Sequence, residues 1–168
     1  MRTIVVEPYD PAWQRAFEEI RKEIDAALGT LAIGIEHVGS TSVQGLSAKP
    51  IIDIDVVIRD RAELDDVVSA LGGIGYRHKG DMGISGREAF DYDGKEHLMP
   101  HHLYVCTRYL PELKRHIAFR DYLRKHPDAV KEYSRIKAEG AELYPHDIDR
   151  YIEHKSPFIQ GIYERLGV

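Results

Sequence analysis

The chain has 168 residues, enough for one domain with a real core and few for two. Apolar residues make up 43% and charged residues 30%, an ordinary soluble balance, and the net charge of −5 argues against a broad nucleic-acid-binding surface. The single cysteine, Cys106, excludes an intrachain disulfide and a multi-cysteine zinc site; no apolar run is long enough to span a bilayer and the N-terminal residues do not read as a signal peptide, so a cytoplasmic location is expected.

Residues 3–7 are β-branched and predict a short strand. Asp10 and Pro11 read as an N-cap and a first helical position. Trp13, Phe17, Ile20, Ile24 and Ala27 follow at helical spacing, so 11–28 is an amphipathic helix ended by Gly29. Residues 33–38 read as a strand and 39–50 as a polar connection with room for a short helix. Residues 51–58 are a strand apolar on both faces and therefore central. A helix over 62–71, stopped by Gly72-Gly73, precedes strands at 76–79, 87–92 and 101–106, with a turn at Asp93-Gly94. Beyond Thr107 the pattern is helical over 112–125, 128–143 and 148–166, with Pro127 and Pro145 as breaks. The expected class is α+β: a mixed β-sheet flanked by helices, with an α/β core over 1–108 and a helical extension over 109–168 packed on it as one domain.

The chemistry concentrates in VGSTSVQGLSAKPIIDIDV, residues 38–56. Side chains alternate along a strand, so Asp53 and Asp55 share one face while Ile52, Ile54 and Val56 take the other. Two neighbouring carboxylates repel, and a divalent cation relieves that repulsion. Magnesium, or manganese in its place, suits such a pair because it takes one or two carboxylates and leaves positions for substrate phosphates. Gly39 lets a backbone approach a phosphate closely, and Ser40, Thr41 and Ser42 add hydroxyl donors at a possible helix start. Lys49 stands just before the acids as a phosphate-neutralising candidate.

An apolar residue, Gly-Ser, an intervening loop and then Asp-apolar-Asp-apolar resembles the signature of the nucleotidyltransferase superfamily, whose fold is shared with DNA polymerase β. EHVGSTSVQGLSAKPIIDIDV, HHLYV, FRDYLRKHPDAVKEYSRIK and YIEHKSPFI, in that order, resemble the GrpB family. The resemblance implies the polymerase-β-like nucleotidyltransferase fold. It also places His37, Arg120 and Lys155 in family segments. Arg120, His116 and Lys155 fall within the apolar arcs of their helices, where a charged group must be paired or line a cleft. Arg120 and Lys155 are accordingly phosphate-binding candidates and Arg124 a weaker one. Pro157 either kinks the last helix or restarts it at Ser156, turning Lys155 away. His37 reads as a hydrogen-bonded strand residue.

The family pattern His-Leu-His-Val stands here as His102-Leu103-Tyr104-Val105. Superfamily members carry a third carboxylate on a neighbouring strand, and 101–106 holds no acid. His102 is therefore expected to complete the site as ligand or proton acceptor, with Glu88, Asp91 and Asp93 as substitutes. The resemblance implies a metal-dependent nucleotidyltransferase, with Asp53, Asp55 and His102 at the chemistry and Gly39 and Ser40 at the phosphates. It would move a nucleoside monophosphate from a nucleoside triphosphate to an acceptor that the resemblance does not fix; the low basicity of the chain favours a small molecule or a protein. The alternatives are a non-catalytic nucleotide- or phosphometabolite-binding protein on the same fold, and a zinc hydrolase built on His97, His101 and His102. Neither a membrane nor an extended nucleic acid is an expected partner.

Overall fold

The computed structural model describes residues 2–168. The predicted strand at 3–7 does not form: Glu7 makes an isolated antiparallel bridge with Ala48, with both N–H···O distances 2.9 Å. β-branched residues favour a strand only where a ladder partner exists. Helix α1 (Ala12–Leu28) buries Trp13, Phe17, Ile20, Ile24 and Leu28. The Asp10 carboxylate accepts from the Ala12 N–H at 2.9 Å, which satisfies one free donor of its first turn.

Five strands follow: β1 (Gly34–Val38), β2 (Ile52–Ile58), β3 (Tyr76–Gly80), β4 (Glu88–Tyr92) and β5 (His101–Thr107). They form one open mixed sheet of order β1-β2-β5-β4-β3, in which β2 and β5 are parallel and the other neighbours antiparallel. Helix α2 (Leu64–Gly72) lies with α1 against one face of this sheet. Ile52, Ile54, Val56, Ile58, Leu103 and Val105 point to that side and make the main core with the α1 residues and Val67 and Leu71.

The alternation of β2 leaves Asp53, Asp55 and Val57 on the other face. There α3 (Pro111–Lys125) packs Leu113 against Val57 and Cys106. Burial raises the Cys106 thiol pKa to about 12, so this cysteine acts as a small apolar residue. Helices α4 (Pro127–Leu143) and α5 (Ile148–Leu166) complete the chain. Val130, Tyr133 and Ile162 join Leu123 in a second core over Val43 and Leu46 of the 39–50 connection. That connection contains one short 3-10 turn, Ser40–Ser42. Pro157 does not break α5, which is continuous through it; the Ser156 hydroxyl donates back to the Ile152 carbonyl at 2.6 Å.

Candidate active site

Strand register sets two rows across the face opposite α1. Val38, Asp53 and His102 are neighbours in one row, and Glu36, Asp55 and Tyr104 in the next. His102 is half-exposed and its Nδ1–H donates to Asp53 Oδ1 at 2.9 Å. Asp55 is only 1% exposed, and His116 of α3 donates from Nδ1 to its Oδ2 at 2.7 Å. Burial lowers the pKa of His116, but the bond and charge of Asp55 outweigh burial and raise it overall. Asp55 Oδ1 is buried and has no hydrogen-bond partner among the described residues.

Gly39 closes the Asp53 row. Its φ of +74° is one that L side chains avoid. A Cβ there would also overlap Asp53 Oδ2 and stand 3.1 Å from Asp53 Cβ. The Ser40–Ser42 turn that follows opens a cavity of about 190 Å³. Ser40, Thr41, Lys49, Asp53, His102 and Lys155, distant in sequence, all line it. Thr41 shares a 2.9 Å hydrogen bond with His37 Nε2, and His37 stacks on Phe17 with centroids 4.6 Å apart. Burial, with Arg124 and Arg120 nearby, lowers the His37 pKa to about 4, so its ring is neutral.

Two further residues of this cavity, Lys137 and Tyr151, escape a sequence reading. Lys137 is 2% exposed, donates to Ser40 Oγ, and donates to the Ser47 carbonyl at 2.9 Å. Burial, reinforced by Lys155 and Lys49, pushes its pKa well below the usual lysine value, against the pull of Asp53. Lys155 is lowered to about 8 by burial and by Lys49. The Tyr151 ring has Lys49 Nζ 5.5 Å and Lys155 Nζ 5.1 Å from its centroid, and its buried hydroxyl has no partner among the described residues. The only signal for Lys137 in the sequence is its place at the end of KEYSRIK, on the face of α4 that carries Val130 and Tyr133.

Arg120 does not line this cavity. Its guanidinium pairs with Glu36 at 2.7 Å and Asp121 at 3.0 Å, and donates to the His37 carbonyl at 3.1 Å. Arg124 donates twice to the Ser42 carbonyl, at 2.8 and 3.1 Å, and faces a separate cavity of about 580 Å³ that also touches Thr41.

The acids considered as substitutes are held elsewhere. Glu88 pairs with Arg61 at 2.8 Å, and Arg77 takes both Asp91 at 2.8 Å and Asp93 at 2.5 Å. The three histidines also diverge, which removes the zinc arrangement. His97 bonds Glu23 at 2.7 Å; His101 is buried against Tyr92 and bonds the Tyr76 hydroxyl at 2.7 Å; only His102 reaches the site. No group of three His, Cys, Asp or Glu side chains able to hold a metal occurs among the described residues. Among the described residues no helix is long and apolar enough to cross a membrane.

Comparison with known proteins agrees with this geometry at the level of fold. The family described as GrpB protein matches residues 3–165. UPF0157 protein YqkA of Bacillus subtilis is 34% identical over 159 residues, which are 95% of this chain but 46% of that relative's length. Conserved protein GrpB from Enterococcus faecalis superposes with a TM-score of 0.84 at 34% identity, covering 96% of each chain. Cid1 poly(U) polymerase superposes with a TM-score of 0.52 at 13% identity over 79% of this chain and 42% of its own, a likeness of fold. The chain thus belongs to the GrpB family and has a nucleotidyltransferase-like fold.

Proposed function

We propose that this protein is a metal-dependent nucleotidyltransferase that moves a nucleoside monophosphate from a nucleoside triphosphate to a small-molecule or protein acceptor. The observation that carries this reading is one shared cavity. Asp53 lines it beside the Ser40 turn and three lysines, Lys49, Lys137 and Lys155. A volume of about 190 Å³ suits the terminal phosphates of a nucleotide rather than its base or sugar. The net charge of −5 favours a small or protein acceptor over a long nucleic acid, whose binding depends on many phosphate contacts.

The residues fit magnesium in its usual substrate-assisted mode, with one or two carboxylates and the rest of the shell from phosphates and water. The fit rests on Asp53 and Asp55 sharing a face and on the unpartnered Oδ1 of Asp55. When bound, the ion would polarise the transferred phosphoryl group and lower the barrier to in-line attack. The chain's own residues supply the rest. Lys49 and Lys155 would offset the charge of the pyrophosphate leaving group, and Ser40 and Lys137 would donate hydrogen bonds to it. Gly39 keeps the backbone close to Asp53. With Nδ1–H given to Asp53, Nε2 of His102 is left to accept the proton of the attacking hydroxyl. The acceptor oxygen bonds to the α-phosphorus, the α–β bridge breaks, and pyrophosphate leaves with its charge on the lysines.

A second reading, a nucleotide- or phosphometabolite-binding protein without turnover, is favoured by one observation. Both carboxylates already accept from a histidine, and the acids at 88, 91 and 93 pair with arginines. Calorimetry with ATP, with and without Mg²⁺, paired with pyrophosphate release over a panel of hydroxyl-bearing acceptors, separates the two. Magnesium-dependent binding with release supports transfer. Binding without release from any acceptor supports the second reading, and no binding of any nucleoside triphosphate overturns the transferase reading.

A further inference from the structure

On the far side of the carboxylate pair from the lysine cavity stands Arg87, just before β4. Its guanidinium carbon lies 4.0 Å from the centroid of the Tyr104 ring. Tyr104 is the register neighbour of Asp55 on β5, and Ala89 of β4 is its neighbour on the other side. Arg87 is therefore delivered to the Asp55 row by the β4–β5 pairing. Its charge is felt by Tyr104, Cys106 and His116.

Three features make Arg87 unlike the neighbouring arginines. No acid pairs with it among the described residues, whereas Arg61, Arg77 and Arg120 all have carboxylate partners. Asp55 does not pair with it either: its Oδ2 accepts from His116 Nδ1 at 2.7 Å. Finally, Arg87 Nε is a buried donor without an acceptor, and Asp55 Oδ1 is a buried acceptor without a donor. Buried polar groups are normally satisfied, so each of these orphans needs a partner from outside the chain. A molecule bearing an oxyanion and a hydroxyl supplies partners for both: the oxyanion accepts from Arg87, and the hydroxyl is directed toward the carboxylates. The Tyr104 ring, 4.0 Å from the guanidinium carbon, holds the group over this row, and its fork suits a carboxylate or phosphate. The guanidinium also covers one ring face, so that face of Tyr104 is closed to a nucleobase.

We infer that Arg87, seated on Tyr104, grips an oxyanion carried by the acceptor molecule, while the nucleotide phosphates take the lysine cavity beside Asp53. The word acceptor rests on the transferase reading; the anion site itself does not. The test follows the Nε–H resonance of Arg87 by NMR in the full chain, assigned through its loss in Arg87→Lys. Inorganic phosphate and acetate are titrated separately, first into wild type with Mg²⁺ and a non-hydrolysable ATP analogue, then into Lys155→Met. A saturable shift of the Arg87 resonance in both proteins is expected. Response to phosphate points to a phosphorylated acceptor, and response to acetate points to a carboxylate one. Arg87→Met, which keeps an apolar stem over Tyr104, should weaken the responding anion by about tenfold or more. An Arg87 resonance unmoved by both anions overturns the inference, as does anion binding that vanishes in Lys155→Met. Failure of the ATP analogue to bind would remove the transferase reading but leave the Arg87 readout intact.

Discussion

Gly39 and Asp53 are in such close contact that any side chain at position 39 would overlap the carboxylate. The added Cβ would stand 3.1 Å from Asp53 Cβ, and the φ of +74° already disfavours an L residue. Gly39→Ala should therefore lower unfolding free energy by about 1–3 kcal/mol from the backbone alone. It should also displace Asp53 and weaken magnesium-dependent nucleotide binding. Denaturant unfolding and calorimetry check the two effects, and a variant with wild-type stability and affinity would contradict this account of the turn.

His116 gives the site a pH signature. Its pKa in the folded protein is raised above the ordinary 6.5, because its bond to Asp55 outweighs burial. The stabilisation it contributes is thus fully present below pH 6.5 and is lost as pH rises through the folded value. The stability gap between wild type and His116→Gln should be largest in mild acid and shrink as pH is raised. Chemical unfolding across that range tests this, and a gap that widens with pH would contradict it.

Lys155 has the opposite sign. Burial and Lys49 lower its pKa from 10.5 to about 8, so the folded state releases its proton first. Wild-type stability relative to Lys155→Met should then rise between pH about 8 and 10.5 and be flat below. Near neutrality the variant loses a desolvated cation, so it should melt no lower than wild type. Its affinity for Mg-ATP should fall about tenfold or more, the worth of one charge-assisted hydrogen bond. Greater stability with weaker binding is the expected pattern for a functional buried charge. A variant that binds Mg-ATP as well as wild type would remove Lys155 from the phosphate cavity.

The parts legible in the sequence were those with local periodicity. Alternation along β2 placed Asp53 and Asp55 on one face, and the spacing of Trp13, Phe17, Ile20 and Ile24 gave α1 its buried stripe. The Gly-Ser turn is legible through its combination with the Asp-Ile-Asp strand, because a glycine before hydroxyl residues is by itself equally an ordinary loop. What escaped depended on contacts between distant residues. Lys137 reads as one more charge on a polar helix until Ser40 and Ser47 meet it from 97 and 90 residues away. Arg120 lies in the inward arc of α3, as periodicity predicts, but its partner there is Glu36 of β1, not a phosphate cavity. The β-branched residues of 3–7 show the reverse: strong propensity with no sheet neighbour beyond Ala48.

The central claim is that Asp53 joins the lysine cavity to a metal-dependent nucleotide site, and calorimetry on Asp53→Asn tests it most directly. Asn is nearly isosteric, and Asp53 is partly exposed at the surface, so the melting temperature should stay near that of wild type. The account predicts that wild type binds ATP only with Mg²⁺ and that Asp53→Asn loses this binding. Unchanged Mg-ATP affinity in a folded Asp53→Asn protein would contradict it.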